Sequence, residues 1–285
     1  MLSRRLVRQF IALVDTGSFT AAATRLHVSQ PTLSAGIAEL ERSLGTPLIL
    51  RERRALRLTE AGNRFLIHAR AIEREFSLAE RGVLETPPPA PPLRLGVLAS
   101  LATRTTAAIA AHYAGEAAGK ALLTLTDAPD ADLRRRLAEH RLDAIVTTLR
   151  SADEGELLRE EGYAMILPAA HRLAGQPLLL PEELADETMI ARRSCEILAE
   201  TSRFFTARGV RPHFALRSAN EDRCLSLVAA GAGVTTGPVS LAGPGTVAVP
   251  LKDYNYRRRI GLIVAQGQEA LIAASGLREV LREAI

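Results

Sequence analysis

Residues 29–44, Ser-Gln-Pro-Thr-Leu-Ser-Ala-Gly-Ile-Ala-Glu-Leu-Glu-Arg-Ser-Leu, constrain the fold more than any other stretch of the chain. Leu33, Ile37, Leu40 and Leu44 recur at steps of 4, 3 and 4, which puts them on one stripe of a helix. Ser29 is suited to cap that helix, because its hydroxyl can accept from an unpaired amide of the first turn. Pro31 falls where a missing N–H costs little, and Gly45 follows as a C-terminal stop. The face opposite the stripe carries Pro31, Ala35, Ala38 and Arg42, flanked by Thr32 and Ser34. It is small and polar, and suits close approach to a large flat partner.

The preceding residues supply two shorter helices, 4–14 ending at Gly17 and 19–26 opened by Ser18, with His27 and Val28 as the turn into the third. Three helices so arranged read as a helix-turn-helix whose last member enters a DNA groove. Residues 47–58 interleave Leu48, Leu50, Leu56 and Leu58 with Arg51, Arg53, Arg54 and Arg57, the pattern of a two-stranded wing. The net charge of the whole chain is only +4. Residues 1–58, however, hold nine arginines against four acids, so the excess is concentrated where phosphate contacts are expected.

These elements resemble the winged helix-turn-helix of the LysR-type transcriptional regulators. The resemblance rests on Phe10, the run Gly17-Ser18-Phe19-Thr20-Ala21-Ala22-Ala23, Leu26, Ser29-Gln30-Pro31, Leu33-Ser34, Ile37, Leu40-Glu41, Leu44-Gly45, Leu48, Arg51 and Leu58-Thr59-Glu60-Ala61-Gly62. Three departures stand out: Ile49, Ala35-Gly36 and Arg53 take places where the family usually has phenylalanine, long polar side chains and glycine. The resemblance implies double-stranded DNA as a partner, with Ser29, Gln30, Pro31, Thr32 and Ser34 at the major groove and Arg51, Arg53 and Arg54 on the backbone or minor groove. It also implies RNA polymerase as a further partner of such a regulator.

Past the wing, Gly62, Phe65, Ala69, Ile72, Phe76, Ala79 and Val83 recur at alternating steps of 3 and 4. That is a coiled-coil seam. The expected organisation is a DNA-binding domain over 1–58, a linker helix over 59–86 that dimerises through Phe65, Ala69, Ile72, Phe76, Ala79 and Val83, and a proline-rich hinge over 87–92. A homodimer follows from the seam; a tetramer is implied by the resemblance alone.

From residue 93 onward, strand-like and helix-like runs alternate, with strands expected at 93–98, 122–126, 142–147, 163–167, 188–191, 214–217, 234–236, 247–249 and 260–264, and one closing helix over 269–285. Such alternation predicts an α/β fold with largely parallel sheets. This half is similar to the family's effector domain, two α/β lobes like a periplasmic binding protein, on Leu142-Asp143-Ala144-Ile145, His171-Arg172-Leu173-Ala174 and Ala229-Ala230-Gly231-Ala232-Gly233-Val234. Lobe I is expected over 93–162 and 265–285, and lobe II over 163–264.

In open α/β sheets, ligands bind at the carboxyl ends of strands. Ser100, Leu101, Thr147, Thr148, Arg193, Ser194, Cys195 and Thr236 lie at or just past such ends. The resemblance implies that these positions line the cleft between the lobes, where their hydroxyls, amides and Arg193 suit a small, anionic effector. Cys195, beside Arg192 and Arg193 near an expected helix start at Glu196, is also placed for a depressed thiol pKa. A peroxide-sensing branch of the family uses a cysteine in this region with a resolving cysteine further on, where this chain has Phe204 and Phe205. Cys224, on a helix expected to be capped by Ser218 with Glu221 completing the box, reads as core.

Two other classes remain at this stage: a small-molecule binding protein without DNA function, and a cysteine enzyme at Cys195 for which no general base is apparent. The six histidines lack paired ligand spacing, so no metal or cofactor is expected and no catalytic set can be assembled. Arg4, Arg5 and Arg8 interrupt any early apolar run, and no stretch approaches the ~20 residues that span a bilayer. A cytoplasmic location without membrane association is the resulting expectation.

Overall fold

The computed structural model describes residues 2–51, 56–82, 92–115 and 122–285. The chain divides into two compact units, one formed by 1–89 with 138–141 and the other by the remainder. In the first, helices α1 (Arg4–Thr16), α2 (Phe19–Arg25) and α3 (Gln30–Leu44) precede the hairpin of β1 (Ile49–Arg51) and β2 (Leu56–Leu58) and the long helix α4 (Glu60–Gly82). The hydroxyls of Ser3, Ser18 and Ser29 accept from the amides of Leu6, Ala21 and Thr32 and so start the three short helices. Gly17 and Gly45 end α1 and α3 in the left-handed region, at φ 66° and 70°. The stripes then close on one core: Leu6, Phe10 and Leu13 meet Ala22, Ala23, Leu33, Ile37 and Leu40, with Leu48 and Ile49 added from the wing. Leu44, at the end of the stripe, stays exposed.

Two contacts fasten the wing. The Glu41 carboxylate accepts from the amides of Leu48 at 2.8 Å and Ile49 at 3.1 Å. At Gly62 an added Cβ would lie 2.1 Å from the carbonyl oxygen of Leu48, so α4 can pass this close only without a side chain there.

The expected seam of α4 is split. Ala69 is wholly buried, and Phe65 packs edge-on against Phe10 with ring centroids 5.3 Å apart. Both belong to the unit's own core, because α1 already covers that face; the expectation that they meet a partner helix is corrected. Further along, Ile72 is half-buried while Phe76 and Ala79 are exposed. Val83 and the proline-rich stretch up to Pro91 lie outside the described residues.

The second unit contains β3 (Leu93–Leu98), α5 (Thr103–Gly115), β4 (Leu123–Ala128), α6 (Asp130–Ala138), β5 (Ala144–Thr148), β6 (Glu156–Pro168), β7 (Thr188–Arg192), α7 (Leu198–Ala207), β8 (His213–Ser218), α8 (Glu221–Ala229), β9 (Thr235–Pro238), β10 (Thr246–Val249), β11 (Arg257–Val264), α9 (Glu269–Ser275) and α10 (Leu277–Ala284). Its main sheet runs β10-β6-β11-β5-β3-β4 with β9 also on β6, and β7 pairs with β8. The architecture is α/β, but among the described strands β3 with β4 and β5, and β7 with β8, pair parallel while the other ladders are antiparallel. The long β6 pairs antiparallel with β11 through its first half and with β9 and β10 through its second. One strand thus serves both lobes, and its neighbours run against it, which the expectation of largely parallel sheets did not foresee.

Lobe I is built on Leu95, Val97, Ile109, Leu133 and Ile145, closed by Ile272, Val280 and Leu281 from the end of the chain. Ile260 and Leu262 of β11 sit in this same core, so residues 260–264 pack with lobe I and not with lobe II. The closing helix is two helices, because Gly276 turns left-handed at φ 69° between them. Lobe II is packed around Met165, Leu167, Phe204 and Tyr254 on one side of β7 and around Ile166, Ile190, Cys224 and Val228 on the other. Among the described residues no helix is long and apolar enough to cross a membrane.

Candidate nucleic-acid interface and ligand cleft

The first turn of α3 presents Gln30, Pro31 and Thr32 to solvent, with Ser34 half-buried beside them and Ala35 exposed one turn on. The Ser29 hydroxyl accepts from the Thr32 amide at 3.2 Å and lies 2.7 Å from the Thr32 hydroxyl. Both oxygens are therefore engaged in the cap of the helix. Gly36 is buried, and an added Cβ there would lie 1.9 Å from the amide oxygen of Gln9, itself buried and without a hydrogen-bond partner. The glycine inside this helix thus makes room for α1. Arg53, Arg54 and the side chain of Arg51 lie outside the described residues.

Much of the arginine excess of this unit is internally committed. Arg4 donates through Nε and Nη2 to Glu73, at 2.9 Å each, and its guanidinium lies 5.0 Å from the centre of the Phe76 ring. Arg5 reaches Glu39, Arg8 reaches Glu73, and Asp15 takes both Arg25 and Arg70. These pairs tie α1 to α2, α3 and α4, and the charge count alone does not distinguish them from phosphate ligands.

In the second unit the expected effector residues do not form one set. Ser100, wholly buried after β3, donates to Glu196 and accepts from Arg258 Nη1 at 3.0 Å. Glu196 also accepts from Arg258 Nη1 at 2.8 Å and from the Tyr163 hydroxyl at 3.0 Å. Arg258 in turn donates through Nε to Glu161 at 2.9 Å, its direct partner across the β6–β11 ladder. Burial alone would raise the pKa of Glu196, but the charge of Arg258 and the Ser100 hydroxyl outweigh it and hold the group below the usual carboxylate range. The lobes meet again where Thr103 donates to Asp222 and Arg104 to the carbonyl of Ser240.

Thr147 is buried in lobe I and donates to Asp130 at 2.7 Å. Ser194 donates to Glu221, which also accepts from Arg192 Nε at 2.6 Å. Arg192 Nη1 donates to the carbonyl of Thr236 at 2.9 Å. Of the hydroxyls offered to an anion, those of Ser100, Thr147 and Ser194 thus already have a carboxylate of the chain. Leu101 is buried and Thr148 half-buried. Arg193, Cys195 and Thr236 line a different feature, a groove in lobe II of about 510 Å³.

Three local expectations are corrected here. Helix α7 begins at Leu198, after Glu196, so Cys195 lies in the preceding turn; burial pushes its thiol pKa up, and the charge of Arg192 offsets this only in part. Asn220, not Ser218, caps α8, and Glu221 turns inward to Arg192. Glu196 and Arg258 hold the lobes together through Ser100, whereas Arg192 and Glu221 tie β7 to α8 and β9 within lobe II. None of the four was singled out from sequence as a site residue. Among the described residues no three His, Cys, Asp or Glu side chains are placed to hold a metal ion.

Residues 4–63 match the family model "Bacterial regulatory helix-turn-helix protein, lysR family", and residues 87–285 match "LysR substrate binding domain". The chain is 31% identical over 264 residues to a probable hydrogen peroxide-inducible genes activator of Mycobacterium avium, covering 90% of this chain and 81% of that one. It is 26% identical over 282 residues to the DNA-binding transcriptional dual regulator OxyR of Escherichia coli (strain K12), covering 95% and 92%. Among solved structures, ArgP from Mycobacterium tuberculosis shares the fold with a TM-score of 0.70 at 23% identity, covering 100% of this chain and 97% of that one. A full-length OxyR variant from Pseudomonas aeruginosa does so with a TM-score of 0.67 at 22% identity, covering 99% and 95%. With a helix-turn-helix followed by a two-lobed α/β domain, and with both family models matched in that order, the chain belongs to the LysR family of DNA-binding transcriptional regulators with an effector-binding domain.

Proposed function

We propose that this regulator reads DNA with Gln30, Pro31, Thr32 and Ser34 at the head of α3, and pairs with a second copy through Ile72, Phe76 and Ala79 of α4. Its state is set by the Glu196 carboxylate between the lobes. The observation that carries the last part is the bond set of Glu196, a lobe II residue held at once by Ser100 of lobe I, Tyr163 of β6 and Arg258 of β11. Glu196 stands where the carboxylate of an anionic effector would stand. Such an effector takes over Ser100 and Arg258, releases Glu196 and lets the lobes reorient about β6 and β11. Its energetic lever is the difference in affinity between the two arrangements, since a ligand that binds both equally shifts nothing. RNA polymerase is the partner through which an activating form would act.

Exposure of the α3 head supports the DNA part. Gln30 can pair with an adenine edge through both amide groups, and the Thr32 methyl suits contact with a thymine methyl. A mobility-shift titration of the full chain against its own upstream DNA tests this reading. A site-dependent shift that weakens steeply with salt is expected, with Gln30→Ala relaxing site preference. A Glu196→Gln variant whose shift pattern matches the wild type under every condition would count against the switch. The names of several relatives carry hydrogen peroxide. For this chain that reading rests on Cys195, whose buried thiol, raised pKa and Phe204–Phe205 neighbours support it less than the Glu196 bond set supports an effector.

A further inference from the structure

We propose that lobe II holds a second binding site, separate from the cleft between the lobes, for an organic anion with an apolar body. The site is the groove of about 510 Å³ between α7 and β8, a size usual for small-molecule pockets. Phe205, Val210 and Phe214 supply its apolar wall, and Arg193, Arg211 and Arg217 line it as well. All three arginines are exposed, and among the described residues none is ion-paired.

That distinguishes them from their neighbours. Arg192, Arg203 and Arg208 are paired with Glu221, Glu200 and Asp253. Among the described residues no aspartate or glutamate lines the groove. Arg193 and Arg217 are brought together by the sheet, because Arg217 lies opposite Ala191 in the β7–β8 ladder and the Arg193 amide donates to the carbonyl of Ser218 at 2.8 Å. The Arg217 guanidinium stacks 4.6 Å from the centre of the Phe214 ring, which is itself 37% exposed.

An exposed aromatic ring under an unpaired guanidinium is half of a recognition site. The missing half is an apolar surface to cover the ring and an acceptor pair to fill the guanidinium fork. A carboxylate on a hydrocarbon or aryl body supplies both. Ser100, Glu196 and Arg258 do not line this groove, so occupancy here does not require the cleft to open.

Isothermal titration of the full chain with octanoate tests the site, with 1-octanol as the uncharged probe and Arg203→Gln as a control from the outer face of α7. One saturable octanoate per chain is expected, with 1-octanol weaker by about tenfold or more. Arg193→Gln and Arg217→Gln are each expected to weaken octanoate by about fivefold or more, while Arg203→Gln stays within about twofold. Absence of saturable binding overturns the proposal. So does octanol binding as tightly as octanoate, or a smaller effect than this in both arginine variants. Retained octanoate binding in those two variants would place the ligand elsewhere in the protein.

Discussion

Glu196 and Arg258, 62 positions apart in the chain, meet at 2.8 Å between the lobes. Arg258 is nearly fully buried, and its other acid, Glu161, is equally buried. Replacing Glu196 by glutamine removes the charge yet keeps an acceptor for Ser100 and Tyr163. Hydrogen bonds to charged groups contribute about 1.5–3 kcal/mol, so Glu196→Gln should lower the stability of the second unit by roughly that amount in urea unfolding. A loss near zero would mean that Glu161 alone satisfies Arg258.

The same residue fixes a pH dependence. Its folded pKa lies below the usual carboxylate range, so folding favours the ionised form. That stabilisation is fully present above the unfolded value, about 4.3, and is lost as pH falls through the lower folded value. Asp130 acts in the same direction: burial pushes it up, but the Thr147 hydroxyl and the guanidiniums of Arg134 and Arg150 outweigh that and lower it. Unfolding free energy should therefore be level from pH 7 to about pH 5 and fall on further acidification, with a shallower fall in Glu196→Gln. An unchanged slope in the variant would remove Glu196 from the account.

Gly36 and Gln9 form a pair that can be tested as one. Glycine inside a helix costs about 1 kcal/mol relative to alanine, but here the added methyl collides with the Gln9 amide. Gly36→Ala alone should destabilise by about 1–3 kcal/mol. Gly36→Ala with Gln9→Ala should recover most of that, because the collision and the orphaned amide oxygen vanish together. Additive losses in the double-mutant cycle would show that the two side chains do not communicate.

The split of α4 predicts opposite phenotypes from neighbouring residues. Phe76 is 46% exposed, whereas Leu66 is 2% exposed in the core with Phe10. Phe76→Glu should shift the chain toward monomer in sedimentation while leaving thermal unfolding at high dilution nearly unchanged. Leu66→Ala should cost about 2–5 kcal/mol of stability without directly altering the pairing surface. If Phe76→Glu sediments as wild type does, the helix pairs through another face.

How far these features could be read in advance depended on their range. The stripe Leu33, Ile37 and Leu40, the serine caps and the glycine stops are local, and periodicity exposes them. The same local rule misplaced Phe65 and Ala69, because a heptad does not say whether the covering helix comes from the same chain. The bond set of Glu196 was beyond reach for a related reason. Ser100, Tyr163, Glu196 and Arg258 come from four separated segments, and a charged residue in isolation reads as surface. Glu221 illustrates the ambiguity: its spacing from Ser218 matches a capping box, yet the cap is Asn220 and the carboxylate serves Arg192.

Cys195 decides between an effector and peroxide as the signal. Reaction with peroxide needs the thiolate and access to it. Here the side chain is 8% exposed, and burial raises the thiol pKa despite the nearby charge of Arg192. Its candidate partner Cys224 packs with Ile166, Ile190 and Val228, in a different cluster from that of Cys195. Brief treatment of the folded chain with peroxide, followed by mass mapping of thiols, should therefore leave Cys195 reduced on a timescale over which an unfolded control is oxidised. Cys195→Ser should retain DNA binding and its response to effector. Rapid formation of a sulfenic acid at Cys195 would mean that peroxide reaches the thiol through the groove it lines, and a disulfide between Cys195 and Cys224 would require the lobe II core to open readily. Either result would transfer the sensing role from the Glu196 bond set to the thiol.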